Sequence, residues 1–283
     1  MIKPAPVFSV VIPTYNQAGL LAHALQSVTH QAFQDWEAIV IDNYSSDNTR
    51  EVVENIQDSR VHYVPYRNQG IIAASRNQGI SRAQGRYIAF LDSDDLWYPA
   101  KLSSCLEFLS SGSDAVCHGM WIRKDGRLWQ QFIPRQPDRD IYDTLLYDGN
   151  SVITTSTVVI NRDMLKKFGI FSEDPTIVTA EDYDLWLRLL KNGINWTVIP
   201  EILGEYTIHG ANSSNNVMRQ MRAEEAVFTR NLKETTAITF HEKLRRKKRR
   251  MMISFRAGRR VQQAGLYSES IPYFTHGFFS LFR

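Results

Sequence analysis

Through its first hundred residues the chain alternates between two hydrophobic rhythms, and this alternation restricts its fold more than any other property. Residues 7–12, 36–41, 61–64 and 86–91 are short apolar or β-branched runs with the length of buried strands. Between them, residues 16–30, 49–56 and 71–83 read as helices; in the first, Leu20, Leu21, Ala24, Leu25 and Val28 share one face. Strand and helix in turn predict an α/β unit on a largely parallel sheet. In such sheets ligands collect at the carboxyl ends of the strands. Three polar clusters fall at such ends: Pro13-Thr14-Tyr15-Asn16, Asp42-Asn43 and Asp92-Ser93-Asp94-Asp95.

The last cluster places three carboxylates within four positions. Like charges this close resist ionising together unless a cation or a set of donors neutralises them. A hard divalent ion is one answer. A polar loop whose aspartates cap the next helix is the other. Asp95 reads better as such a cap than as a ligand.

The remaining chain is less regular. Residues 114–122, 154–160 and 198–205 are predicted strands. Thr179-Ala180-Glu181-Asp182 opens a helix with Leu185, Trp186 and Leu189 on one face, and beyond residue 216 the pattern is helical. A chain of 283 residues with 43% hydrophobic residues can bury a sizeable core. Two cysteines, Cys105 and Cys117, make no disulfide framework and fit a reducing compartment. No apolar run reaches the roughly 20 residues that span a bilayer, and the N-terminus reads as a strand rather than a leader. The net charge of +3 is uneven: residues 241–260 hold ten Lys or Arg against Glu242. An acidic body with a basic tail suggests two parts with different partners. The expected division is a catalytic domain over residues 1–216 and a basic helical extension over 217–283.

Five segments, in this order, resemble glycosyltransferase family 2, the inverting nucleotide-sugar transferases of the GT-A fold. They are Val10-Val11-Ile12-Pro13-Thr14-Tyr15-Asn16, Ile41-Asp42-Asn43-Tyr44-Ser45-Ser46-Asp47-Asn48-Thr49, Ala74-Ser75-Arg76-Asn77-Gln78-Gly79, Phe90-Leu91-Asp92-Ser93-Asp94-Asp95 and Glu181-Asp182-Tyr183-Asp184-Leu185-Trp186. The resemblance covers residues 7–210 and implies a Rossmann-like central sheet flanked by helices. Asp92-Ser93-Asp94 is similar to the family's DXD motif, which implies a Mn²⁺ or Mg²⁺ cofactor with Asp94 as direct ligand and Asp92 near the donor sugar or ribose. Asp42, Pro13 and Tyr15 resemble residues that meet the nucleoside. Asn43 stands where a second acid is common, and Tyr44 where glycine is frequent. Arg76 faces the same rim by analogy, either to bind the diphosphate or to neutralise the acids. Asp182 resembles the general base that takes the acceptor's proton, with Glu181 as the fallback. A competing structural reading of Thr179-x-x-Asp182 is a capping box. His209 stands where relatives often carry a histidine; it is a candidate metal ligand or a solvated loop side chain.

The basic stretch interleaves cations with Leu244, Met251, Met252, Ile253 and Phe255, a composition suited to an anionic membrane surface. A solvated helix face is the plain alternative, and no nucleic-acid partner is expected. Residues 256–279 also resemble a helical hairpin of the tetratricopeptide type turning at Ala264-Gly265, a reading that Pro272 strains. The expectation is a metal-dependent transferase passing a sugar, from a UDP-sugar above all, to a glycan or lipid-linked hydroxyl in surface polysaccharide or lipopolysaccharide assembly. Its expected place is the cytoplasm, peripheral to the membrane. The alternatives are a Mg²⁺-binding receiver-like signalling domain, which would leave the Glu181-Asp182 helix without a role, and a catalytically silent scaffold.

Overall fold

A computed structural model describes residues 5–134, 136, 140–149, 153–210, 216–232 and 239–280. The chain divides into two compact units. The first comprises Met1–Gln136, Val152–Phe171 and Leu189–His209; the second comprises Pro137–Ser151, Ser172–Arg188 and Gly210–Arg283.

In the first unit, β1 (Phe8–Thr14), β2 (Trp36–Asp42), β3 (Val61–Pro65) and β4 (Tyr87–Phe90) lie side by side in the order β3–β2–β1–β4, all parallel. Every residue of β1, β2 and β4 is buried. Strands covered on both faces are mostly apolar, as these three are, and the buried Ser9 donates its hydroxyl to the buried Glu37 at 2.5 Å. β3 is the edge: its residues are half-exposed or exposed and it ends in Pro65, where the missing donor does least harm. α1 (Ala18–Thr29) buries Ala18, Leu21, Ala24, Leu25 and Val28, and Leu21, Leu25 and Val28 join Val10, Ile12, Ala38 and Val40 in one core. α2 (Thr49–Asn55) and α3 (Ile72–Arg82) form the other crossovers, and α4 (Lys101–Ser110) and α6 (Arg162–Phe168) come later in this unit. α3 lies so close to the sheet that a Cβ on Gly79 would collide with Val11.

Past β4 the sheet becomes mixed. β5 (Leu96–Trp97), β6 (Ala115–Lys124), β8 (Val159–Asn161) and β9 (Trp196–Ile208) continue it in the order β8–β6–β9–β5, and β7 (Arg127–Phe132) pairs with β6. β8 is antiparallel to both β4 and β6, whereas β6 and β9 are parallel. The parallel pattern thus holds where crossover helices return each strand in the same direction. Residues 154–160, expected as a single strand, divide: Thr155–Thr157 form a 3₁₀ turn and only β8 joins the sheet. The cause is Ser156. Its hydroxyl accepts the Asp92 N–H at 3.0 Å and its carbonyl accepts Trp97 Nε1 at 2.8 Å, so this segment serves the end of β4 instead of a ladder.

The second unit is helical. α5 (Ile141–Asp148), the first turns of α7 (Glu181–Lys191), α8 (Val217–Asn231), α9 (Phe240–Gln263) and α10 (Tyr267–Phe279) make it up. The Thr239 hydroxyl accepts the Glu242 N–H at 3.2 Å and starts α9. α9 and α10 form the expected hairpin, turning through Ala264, Gly265 and Leu266, with the Phe255 and Phe274 rings edge-on at 5.2 Å. Pro272 lies inside α10 all the same, at the cost of one helical hydrogen bond.

Candidate donor-binding site

The carboxyl ends of β1, β2 and β4, with α3 and the end of β9, bring the donor-side candidates together in the first unit. The β1 and β2 loops are laced to each other. Asn16, at φ 50°, accepts the Ser46 N–H on its amide oxygen at 2.7 Å and donates its own N–H to Ser45 Oγ at 2.8 Å. Asp47 accepts the Ala18 N–H at 3.0 Å. Burial works against its charged form, but hydrogen bonds from Thr49 and Ala18 outweigh that and hold the carboxyl below its usual range.

Asp42 closes β2 and is only 1% exposed. Its carboxylate accepts the Ser45 hydroxyl at 2.5 Å and the Tyr63 hydroxyl at 2.6 Å. Burial, followed by the Asp42 bond and charge, pushes the Tyr63 phenol up to about 12. Pro13 is buried in β1, whereas Tyr15 and Tyr44 stand 55% and 54% exposed. Tyr44 has φ 55° and lies under the Arg67 guanidinium, 4.9 Å from its ring centroid. The left-handed backbone explains why this position favours glycine.

At the end of β4, Arg76 from α3 is 3% exposed and donates from Nη2 to Asp92 Oδ1 at 2.7 Å. Its guanidinium also lies 5.4 Å from the Phe171 ring centroid. Ser93, buried, donates its hydroxyl to Gln17 Oε1 at 2.6 Å. His209, just past β9, places Nε2 2.8 Å from Asp94 Oδ2. Burial and then the Asp92 charge raise the Asp94 carboxyl, with the His209 contact opposing them. Asp95 is raised further, by burial and then by Asp94 and Asp92.

Asp95 does not cap the following helix. α4 (Lys101–Ser110) begins six residues later with Ala100 at its N-cap. Asp95 instead accepts the Thr207 N–H at 3.0 Å and bonds to the Ser156 side chain, fastening β9 and the 3₁₀ turn to the acidic loop.

Among the described residues no group of three or more His, Cys, Asp or Glu is arranged to hold a metal by itself. Asp94 has Asp92 and His209 beside it, and a cation would relieve the repulsion between the two carboxylates. That composition fits Mn²⁺ or Mg²⁺ with a shell completed by phosphate and water.

In the second unit the start of α7 places both acids in its first turn. Thr179, at φ 85°, donates its N–H to Glu181 Oε2 at 2.8 Å. Glu181, 5% exposed, thus ties the chain just before the helix to its first residue. Asp182 accepts the Tyr183 N–H at 2.6 Å, and buried Asp184 pairs with Arg188 and Arg230.

Sequence reasoning missed Ser156, Tyr63, Gln17 and Phe171. For Ser156 a signal existed: Thr154-Thr155-Ser156-Thr157 is a run of four hydroxyl residues inside an otherwise apolar stretch. The others are single residues whose neighbours come from distant segments.

The family model described as Glycosyl transferase family 2 matches residues 9–169. The chain belongs to glycosyltransferase family 2. Family membership removes the receiver-like alternative. TuaG of Bacillus subtilis, a glycosyltransferase named for teichuronic acid biosynthesis, is 35% identical over 75% of this chain and 82% of its own. The Escherichia coli UDP-Glc:alpha-D-GlcNAc-diphosphoundecaprenol beta-1,3-glucosyltransferase WfgD is 31% identical over 76% of this chain and 83% of its own. Among solved structures, S. aureus TarS 1–349 with UDP-GlcNAc superposes with a TM-score of 0.72 at 19% identity, covering 95% of this chain and 79% of that one. Mannosyltransferase PcManGT of Pyrobaculum calidifontis, in complex with GDP-Man and Mn²⁺, gives 0.64 at 18% identity, covering 98% and 85%. These likenesses show the GT-A fold with C-terminal helices.

Proposed function

We propose that this family 2 glycosyltransferase is a metal-dependent, inverting enzyme that moves a sugar from a UDP-sugar to a hydroxyl of a lipid-linked glycan during surface polysaccharide assembly. The observation that carries the reading is the pairing of Arg76 with Asp92 beside the pairing of His209 with Asp94, on the rim that Asp42 also reaches. The relatives support the donor and acceptor classes: WfgD is named for UDP-Glc and a diphosphoundecaprenol acceptor, and TarS is seen with UDP-GlcNAc.

Asp42 and the exposed Tyr15 ring receive the nucleoside, with Pro13 shaping the strand end beneath them. Ser93 and Asp92 face the donor sugar. Arg76, held by Asp92, keeps a cation where negative charge builds on the diphosphate. Asp94, with Asp92 and His209, would hold Mn²⁺ or Mg²⁺, which when bound supplies Lewis-acid stabilisation of the leaving diphosphate. Asp182 takes the acceptor proton as the hydroxyl oxygen bonds to the anomeric carbon; the bond to the diphosphate breaks and its electron pair leaves with the nucleotide. One displacement inverts the anomeric centre.

The α9–α10 hairpin supports peripheral membrane contact. Lys243, Lys248 and Arg259 are exposed on α9, and Phe240, Tyr267 and Ile271 are 82%, 69% and 59% exposed on the two helices. No described helix is long and apolar enough to cross a membrane.

Hydrolysis of a panel of nucleotide sugars with Mn²⁺ tests the reading and also the silent-scaffold alternative. Turnover of a UDP-sugar, abolished by Asp94→Asn, is the expected result. No hydrolysis and no binding of any donor would overturn it.

A further inference from the structure

In the helical unit, two arginines of α9 seven residues apart converge on the end of α5. Arg249 is completely buried; its Nε donates to the Leu146 carbonyl at 3.1 Å and its Nη2 reaches Glu224 and, at 3.5 Å, the Tyr183 hydroxyl. Arg256 donates from Nη2 to the Asp148 carbonyl at 2.6 Å. Both guanidiniums close on Gly149, at φ 92°. A Cβ there would lie 2.7 Å from Arg249 Nη1, Arg249 Nη2 and Arg256 Nη1.

Capping the last carbonyls of α5 accounts for one N–H group of each arginine. It does not account for the rest. Arg249 Nη1 is buried with no hydrogen-bond partner among the described residues, and such a donor costs about 1–3 kcal/mol. Glu224 answers one of the two cations. Arg256 makes no ion pair among the described residues, in contrast to Arg245 with Asp143 and Arg246 with Glu242 on the same helix. Burial and then the Arg249 charge hold the Arg256 pKa below its usual value, although the Glu224 and Asp148 charges oppose them.

We propose that Arg249 and Arg256 form an anion subsite for a diphosphate ester. The donors left to meet phosphoryl oxygens are Arg249 Nη1 and the Arg256 groups other than Nη2. Gly149 leaves room for both guanidiniums, which a Cβ there would displace. Under the transferase reading, on which this last assignment rests, the ester is the diphosphate of the lipid-linked acceptor. The anion subsite stands without it.

The test is calorimetric titration of the full chain with inorganic pyrophosphate, in EDTA and with UDP saturating. Wild type is expected to bind, Arg256→Gln to bind at least about tenfold more weakly, and Arg256→Lys to fall between, since one charged hydrogen bond is worth about that factor. Arg256 is only partly buried, and a melting curve for each variant verifies its folding. No binding to wild type, or equal affinity in all three, overturns the subsite. Cosedimentation with phosphatidylcholine vesicles, with and without a polyprenyl diphosphate, separates the sources. Capture dependent on Arg256 assigns the lipid-borne ester; vesicles that neither capture the protein nor compete with pyrophosphate overturn that assignment for a free one. UDP titrated alone examines the transferase reading separately, so either conclusion can fail without the other.

Discussion

Arg76 and Asp92 form an ion pair at 2.7 Å in which the arginine side chain is 4% exposed and the aspartate 27%. One end is fixed inside the protein and the other still meets solvent. Arg76→Met should leave Asp92 unbalanced beside Asp94, weakening donor binding by about tenfold or more. Loss of one member of a buried pair costs about 3–5 kcal/mol, reduced here to about 2 by the solvent reaching Asp92. UDP titration and chemical denaturation measure both effects.

His209→Ala removes the partner of Asp94 without opening the core, since the imidazole is 22% exposed. The Mn²⁺ concentration giving half-maximal activity should rise about 10–100-fold while Tm changes little. An unchanged metal requirement would remove His209 from the metal's surroundings.

Asp182 and Glu181 should separate by the kind of damage. Asp182→Asn is expected to lower transfer by about 10²–10⁴-fold with donor affinity kept, as the loss of a general base does. Glu181→Gln weakens the bond to the Thr179 N–H and should cost about 0.5–1.5 kcal/mol of stability, as a weakened hydrogen bond does. Acceptor kinetics and thermal melting, run on both variants, distinguish the roles.

Lys101 gives the protein an acid-sensitive core. Its ammonium is completely buried, 3.3 Å from the Trp97 ring centroid, and Nζ has no hydrogen-bond partner among the described residues. Burial lowers its pKa from 10.5 to about 7. The unfolded chain therefore binds this proton more tightly, and stability falls as pH drops from above 10 to 7, after which the loss is complete. His118, lowered from 6.5 to about 3 by burial and then by Lys101, adds a second loss below pH 6.5. Lys101→Met should raise Tm at pH 7 and flatten its dependence between pH 7 and 10; a slope equal to wild type would contradict this.

The gathering of the candidate residues at the strand ends was legible because parallel strands advertise themselves and their ends are where polar residues stop apolar runs. Asp42, Asp92 and Asp94 were found in that way. Asp95 was misjudged as a cap: its partners, Thr207 and Ser156, come from segments 112 and about 60 positions on, and local spacing reports only local bonds. The strand expected over residues 154–160 failed for the same reason, since Ser156 answers to Asp92 and Trp97. The helix opening near Thr179 was read correctly, but the bond from the Thr179 N–H to Glu181 was not, because the left-handed φ of Thr179 leaves no periodic trace.

Gly79 sits one turn beyond Arg76 on α3, pressed against Val11 at the centre of the sheet. The depth of that seating sets how far the guanidinium reaches toward Asp92. A methyl group at residue 79 would lift the helix and stretch the ion pair, so a contact containing no charge governs the electrostatics of the rim. Damage there would read in kinetics as a charge mutation while every charged residue remained in place.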